Sequence, residues 1–156
     1  MRRKRLALAA AGGALALSSA LGGALSTQAM AEDAGEVTVL APQTYQNIGT
    51  SRCLDDSDRG LRAVGCHGDT TQQWTVRAIG GVRELKNVAT SRCLDDSDRG
   101  FRTVGCHGGT TQQWTVTSLG GGAIQFKSVG TGRCADDSDR GLRTVGCHGG
   151  TTQSWR

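Results

Sequence analysis

The sequence predicts an all-β chain, a barrel assembled from three copies of one short unit. Three observations carry this. The stretch Arg52–Trp74 returns as Arg92–Trp114 and again as Arg133–Trp155, at offsets of 40 and then 41 residues. Within each copy, short β-leaning pieces alternate with Gly, Asp, Ser and Thr turns. No apolar stripe with a helical period runs long enough to make an amphipathic helix. Units of about 40 residues are too small to bury a core alone, so the three must share one.

Residues 1–31 read as a cleaved leader, which implies a secreted protein whose working domain is 32–156. Arg2, Arg3, Lys4 and Arg5 open it, an uncharged Ala/Leu/Gly/Ser run follows, and Ala29-Met30-Ala31 offers a cleavage signal before Glu32. The run is too rich in small residues for a membrane anchor, and no later segment is long or apolar enough to span a bilayer. The leader also explains the net charge of +4. It holds four of the 18 basic residues and none of the 14 acidic ones, so the rest of the chain is neutral. A nucleic-acid binder needs a cationic footprint, and none is left.

Six cysteines, two per copy, suit a disulfide framework in a small secreted chain. Fifteen pairings are possible on paper, and the repeat favours Cys53–Cys66, Cys93–Cys106 and Cys134–Cys147. Cys-x12-Cys-His lacks the close ligand pairs of a zinc site. Asp-Asp-Ser-Asp-Arg-Gly places an Arg where a calcium loop needs an oxygen ligand. Neither a metal nor any other cofactor is expected.

Strands are expected in chain order as follows. Val37–Leu40 comes first and Tyr45–Ile48 second, each a β-leaning run. Arg52–Asp55 is third, with Leu54 on one face and Cys53 and Asp55 on the other. Asp56–Gly60 is turn chemistry, which makes Asp56 and Asp58 turn residues. Leu61–Val64 and Gln72–Val76 are strands on either side of a Cys66–Thr71 turn. Ile79–Val82 and Leu119–Gly122 are hairpin turns. The repeats then run about 45–84, 85–125 and 126–156. Three sets of equivalent residues are expected in the shared core: Trp74, Trp114 and Trp155; Ile48, Val88 and Val129; Leu54, Leu94 and Ala135. Copies one and two continue past their Trp as Thr-Val, while copy three stops at Arg156. Strand 37–40 is therefore expected beside the C-terminus, completing the third unit.

Three repeats, each holding Cys-Leu-Asp or Cys-Ala-Asp and ending in Gln-x-Trp (Gln72-Gln73-Trp74, Gln112-Gln113-Trp114, Gln153-Ser154-Trp155), resemble the ricin B-type β-trefoil lectins. The likeness extends over residues 36–156 and is nearest to the small secreted bacterial three-repeat members. It implies a β-trefoil: three pseudo-threefold repeats with one disulfide each, six barrel strands capped by three hairpins, and the Trp residues inside. It also implies a sugar-contacting Asp after Cys-Leu, namely Asp55, Asp95 and Asp136, and a Gln of Gln-x-Trp (Gln72, Gln112, Gln153) near the sugar. A carboxylate can accept two sugar hydroxyls at once.

The rest of the expected site departs from the family pattern. Arg62, Arg102 and Arg143 stand where the related lectins have a Tyr. His67, His107 and His148 replace an Asn, and Thr71, Thr111 and Thr152 replace a polar aromatic or Asn. A guanidinium can stack on a sugar face or grip an acid in a bidentate fork. The expected ligand is therefore a glycan or polysaccharide, acidic ones included. His and Asp recur together, but a catalytic site is one asymmetric constellation, and every group here comes in three copies. The sequence thus points to a monomeric, non-catalytic binder whose sites act together through avidity. The competing classes are a trefoil that binds a protein partner, as an inhibitor does, and a structural trefoil with lost sugar sites.

Overall fold

The computed structural model describes residues 36–156. The expected leader lies outside the described residues. Eleven strands run in order: β1 (Val37–Gln43), β2 (Cys53–Ser57), β3 (Gly60–Val64), β4 (Trp74–Ile79), β5 (Val82–Asn87), β6 (Cys93–Ser97), β7 (Gly100–Val104), β8 (Trp114–Gly120), β9 (Ala123–Ser128), β10 (Cys134–Ser138) and β11 (Gly141–Val145). A single 3₁₀ turn precedes each Trp, at Thr70–Gln72, Thr110–Gln112 and Thr151–Gln153.

Two kinds of hairpin alternate. β2–β3, β6–β7 and β10–β11 pair in one shared register, for instance Asp55↔Arg62, Asp95↔Arg102 and Asp136↔Arg143. Their turns need positive φ at Gly60, Gly100 and Gly141, a conformation that costs glycine nothing. β4–β5 and β8–β9 are the barrel hairpins. Two sets of bridges, each repeated in every copy, close the barrel. Gln43 meets Trp74, Arg83 meets Trp114, and Ile124 meets Trp155. Trp74 also faces Asn87, Trp114 faces Ser128, and Trp155 faces Asn47.

The N-terminal segment does meet the C-terminus, but not through strand 37–40. Gln46 and Arg156 exchange backbone hydrogen bonds at 2.8 and 2.9 Å, and Ile48 N–H donates to Ser154 O. Residues 37–40 pair instead with β4, from Val37↔Ile79 to Leu40↔Val76, and all of β1 is exposed. Nor is Tyr45–Ile48 a full strand. It makes bridges at Gln46 and Asn47 and then turns. The cause is spatial: Trp155 needs a partner where Asn87 and Ser128 serve the other two Trp, and Asn47 holds that place.

Trp74, Trp114 and Trp155 are buried as expected, with Leu54, Leu94 and Ala135 beside them. Each indole N–H donates to the carbonyl of its own copy's Leu54, Leu94 or Ala135 at 3.1–3.2 Å. A buried indole needs such an acceptor. Tyr45 packs edge-on against Phe126, with ring centroids 4.9 Å apart. Burial pushes the Tyr45 phenol up to about 12. The Ile48, Val88 and Val129 set is corrected. Val88 and Val129 are 37% and 41% exposed, and the buried residues are their predecessors Asn47, Asn87 and Ser128. The Asn carbonyl oxygens of copies one and two each accept two turn amides, such as Gly49 and Thr50 N–H for Asn47, and their amide groups donate to Thr152 O and Thr71 O. A turn held from inside by a polar side chain leaves the next residue facing outwards.

The three disulfides form as paired above, with Cα–Cα separations of 5.0, 5.0 and 5.1 Å. Each ties the start of one hairpin strand to the loop after the next. Among the described residues, no helix is long and apolar enough to cross a membrane.

Candidate functional site

Consecutive strand residues point to opposite faces, so Asp55 and Asp56 on β2 look away from each other. Asp55 faces side chains of its own repeat. Arg62 Nε, opposite it on β3, donates to Asp55 Oδ1 at 2.8 Å. Thr71 Oγ1, from the 3₁₀ turn, donates to Asp55 Oδ2 at 2.8 Å. His67 Nε2, from the loop between β3 and that turn, lies 3.4 Å from the same oxygen. Copy two repeats the group with Thr111 at 2.8 Å, His107 at 3.4 Å and Arg102 at 3.8 Å from Asp95. Copy three has Thr152 at 2.8 Å, His148 at 3.3 Å and Arg143 at 3.7 Å from Asp136. The Asp residues are at most 2% exposed, while the Arg side chains keep 35–38% of their surface outside. A carboxylate at such depth is tolerable only with cationic and hydroxyl partners. The structure therefore brings together the expected Asp, Arg and His of each copy, with the Thr as fourth member.

The three glutamines are a correction to the expected site. Gln72, Gln112 and Gln153 are wholly buried. Gln72 Oε1 accepts from His67 and Gly68 N–H, and its amide donates to Gly65 O; copies two and three repeat this. With donors and acceptor so engaged, the glutamine shapes the loop that carries the histidine and does not face a ligand. Among the described residues, no aromatic side chain takes the place of the Tyr expected from the resemblance. The Trp residues are in the core, and Phe101 leans on Trp114 with centroids 5.5 Å apart.

Asp56 is the second correction. It, Asp96 and Asp137 are strand residues, fully buried, and each is gripped by an arginine of the next repeat. Arg92 donates to both oxygens of Asp56 at 3.0 and 2.6 Å and to Ser57 O at 2.6 Å. Arg133 holds Asp96 and Arg52 holds Asp137 in the same way, so the ring of pairs closes on itself. Thr90, Thr131 and Thr50 hydroxyls add a further bond each. Only Asp58, Asp98 and Asp139 stay in the turns. A clue was present: two adjacent Asp on one strand cannot share partners, and an Arg precedes the first Cys in every copy. Among the described residues no three metal-ligating side chains converge.

Residues 70–146 match the family model described as ricin-type β-trefoil lectin domain-like. No curated relative matches the sequence. Among solved structures, the designed three-fold symmetric protein ThreeFoil aligns with a TM-score of 0.67 at 20% identity, covering 72% of this chain and 94% of ThreeFoil. An exo-β-1,3-galactanase from Clostridium thermocellum gives 0.66 at 24% identity, over 74% of this chain and 29% of the enzyme. The hemolytic lectin CEL-III gives 0.63 at 23% identity, over 75% of this chain and 30% of the lectin. This chain thus spans under a third of the length of the galactanase and of CEL-III. At such identities the likeness is one of fold. With three Gln-x-Trp units closing one barrel, one disulfide in each, and residues 70–146 similar to the ricin-type β-trefoil lectin domain-like family, the fold is a β-trefoil of the ricin B type.

Proposed function

We propose that this protein is a secreted, monomeric and non-catalytic lectin with up to three glycan sites, one per repeat. The observation that carries the reading is the buried Asp with its Arg, His and Thr, present in every copy of a sugar-binding fold. Asp55, Asp95 and Asp136 accept sugar hydroxyls, and Arg62, Arg102, Arg143, His67, His107 and His148 form the rim. Several weak sites on one rigid barrel gain avidity against a polymer, on the order of 100-fold when geometry allows. The galactanase and the lectin CEL-III among the structural neighbours support the ligand class. This chain spans only 29% of the galactanase, which leaves most of that enzyme outside the shared part. Threefold repetition of every polar group argues against catalysis here.

A glycan array with neutral and acidic arms tests this on the protein beginning at Glu32. Binding should appear on the wild type and vanish when Asp55, Asp95 and Asp136 are all changed to Asn, with the near-ultraviolet spectrum of the buried Trp residues confirming the fold. Silence of the folded wild type on every glycan would sink the lectin and favour a protein partner. A second reading, an acidic glycan, rests on the outward third of each site arginine, since a guanidinium suits a carboxylate or phosphate. Preference for the acidic arm, lost in high salt, is its signature. Mass spectrometry of the exported protein should find Glu32 at its start.

A further inference from the structure

The three sites are close copies in sequence, yet they differ in how the arginine meets the aspartate. In copy one, Arg62 Nε sits directly on Asp55 Oδ1 at 2.8 Å. In copies two and three the same atoms stand 3.8 and 3.7 Å apart. That is beyond hydrogen-bond reach. Among the described residues Arg102 Nε, Arg143 Nε and Asp136 Oδ1 have no hydrogen-bond partner although they are buried. Asp136 itself is only 2% exposed. Buried polar atoms without partners are costly and rare, and each calls for an explanation.

Two sequence differences near this contact separate copy one from the others. Ala63 follows Arg62 where Thr103 and Thr144 follow Arg102 and Arg143, but those hydroxyls face away from the site and donate to Asp56 and Asp96. The second is the residue two places after each His. It is Asp69 in copy one and Gly109 and Gly150 in the others. In copies two and three the glycine N–H donates to the imidazole Nδ1 at 3.1 Å, so that a neutral ring turns its Nε2 proton towards the Asp. A Cβ at either glycine would lie 3.0 Å from that Nδ1, too close for the ring to stay where it is. In copy one Asp69 supplies that Cβ. Its amide stands back at 3.4 Å, its carboxylate lies 3.2 Å from Nδ1, and the His67 side chain is 40% exposed against 51% and 50% for the others.

We propose that copies two and three are the working sites and that copy one is closed by its own arginine, the residue at position 69, 109 or 150 deciding which. The inference rests on the lectin reading and narrows it. In a working site one sugar hydroxyl bridges the Arg Nε and the Asp Oδ1 from the open side. Its oxygen accepts from Arg143 Nε–H while its own hydrogen goes to Asp136 Oδ1, and Arg102 with Asp95 does the same in copy two. A hydroxyl is the group that both accepts and donates at one atom, so the class of ligand recognised at this point is a polyol. In copy one Arg62 already occupies the Asp oxygen.

The backbone at this position is the same in all copies, with φ near −70° and ψ near 170°. Exchanging Asp and Gly there demands no new conformation. Nuclear magnetic resonance of arginine Nε–H groups reads the three sites separately. Without ligand, the Arg62 proton should exchange with solvent at least roughly tenfold more slowly than those of Arg102 and Arg143, as a bond to a buried carboxylate implies. Methyl β-galactoside, methyl α-mannoside and methyl β-glucoside at millimolar concentration serve as probes. At least one should move the Arg102 and Arg143 signals and leave Arg62 still. Asp69→Gly should raise the number of responding arginines from two to three, and Gly150→Asp should lower it to one. A response at all three arginines of the wild type overturns the inequality and leaves the lectin reading standing. No response at any arginine, with Arg62 protected, overturns the hydroxyl grip and the lectin reading together. Two responding arginines in wild type and in both variants overturn the role given to this position.

Discussion

Asp55 and Asp56 stand side by side on β2 and face away from each other. Asp55 is held within its own repeat, by Arg62, His67 and Thr71. Asp56 is held by Arg92 of the next repeat, through two oxygens and three bonds counting Ser57 O. Both are buried. The difference lies in geometry. The Asp56 type has a bidentate grip in all three copies, at 2.6 Å for its shorter arm each time. The Asp55 type has one short Arg contact in copy one and loose ones in the other two. A frame needs every partner satisfied, whereas a binding site must leave something for the ligand to complete.

This contrast can be broken most forcefully at Arg92. Changing Arg92 to Ala leaves the Asp56 carboxylate buried with only the Thr90 and Thr103 hydroxyls. The expected loss is about 3–5 kcal/mol in a denaturant titration. A loss under about 1 kcal/mol would show that the ring of Asp–Arg pairs is not the frame.

Next comes the Cys93–Cys106 bridge, which belongs to both regions because it ties β6, bearing Asp95, to the loop bearing His107. Replacing both cysteines by Ser should cost about 3 kcal/mol. It should weaken glycan binding at copy two while copy three keeps its response, which paired titrations of the two copies would reveal.

Tyr45 probes the frame alone. It is the one tyrosine in the chain, so absorbance near 295 nm follows it without interference from other phenols. Its neutral form is favoured in the folded state, with the phenol raised to about 12 by burial. Folding stability is therefore untouched below pH 10 and falls as pH climbs from 10 to 12, by up to ~2–3 kcal/mol. Tyr45→Phe should lose less stability over that interval. Equal alkaline sensitivity in the two proteins would place the cause elsewhere.

The smallest stability effect is expected at Arg102. Its Nε makes no hydrogen bond among the described residues, and Asp95 keeps Thr111 and His107. Arg102→Ala should cost about 1 kcal/mol or less and still abolish the response of copy two to sugar. A loss as large as that at Arg92 would erase the distinction between site and frame.

Local features were legible before any coordinates. Cys spacing pairs the disulfides, because 12 intervening residues form one hairpin and its loop. Gly60, Gly100 and Gly141 mark turns that other residues would strain. The three Trp are too large and too regular to be anywhere but the shared core. Errors arose where neighbouring residues compete for the inside. Val88 is the more apolar of Asn87-Val88, yet Asn87 is buried, since its amide stitches a turn that valine cannot. Gln72 is expected near a sugar only through the family resemblance. Only the fold shows that both ends are already taken by the loop.

By itself, then, the sequence determined the all-β class, the threefold plan and the disulfides, and its family resemblance pointed to the Asp, Arg and His that the fold brings together in each repeat. All of these depend on residues within one repeat of each other, where spacing along the chain translates directly into spacing in the hairpin. Tertiary structure alone decided which of two adjacent Asp serves the frame, that residues 46–48 and not 37–40 meet the C-terminus, and how far each site arginine stands from its carboxylate. Those outcomes rest on partners about 35 to 110 residues away, or on a difference of about 1 Å (2.8 against 3.8 Å) between packed groups. Local pattern shows the groups but not their pairing, because the energy of a contact depends on distance in space and not on distance along the chain.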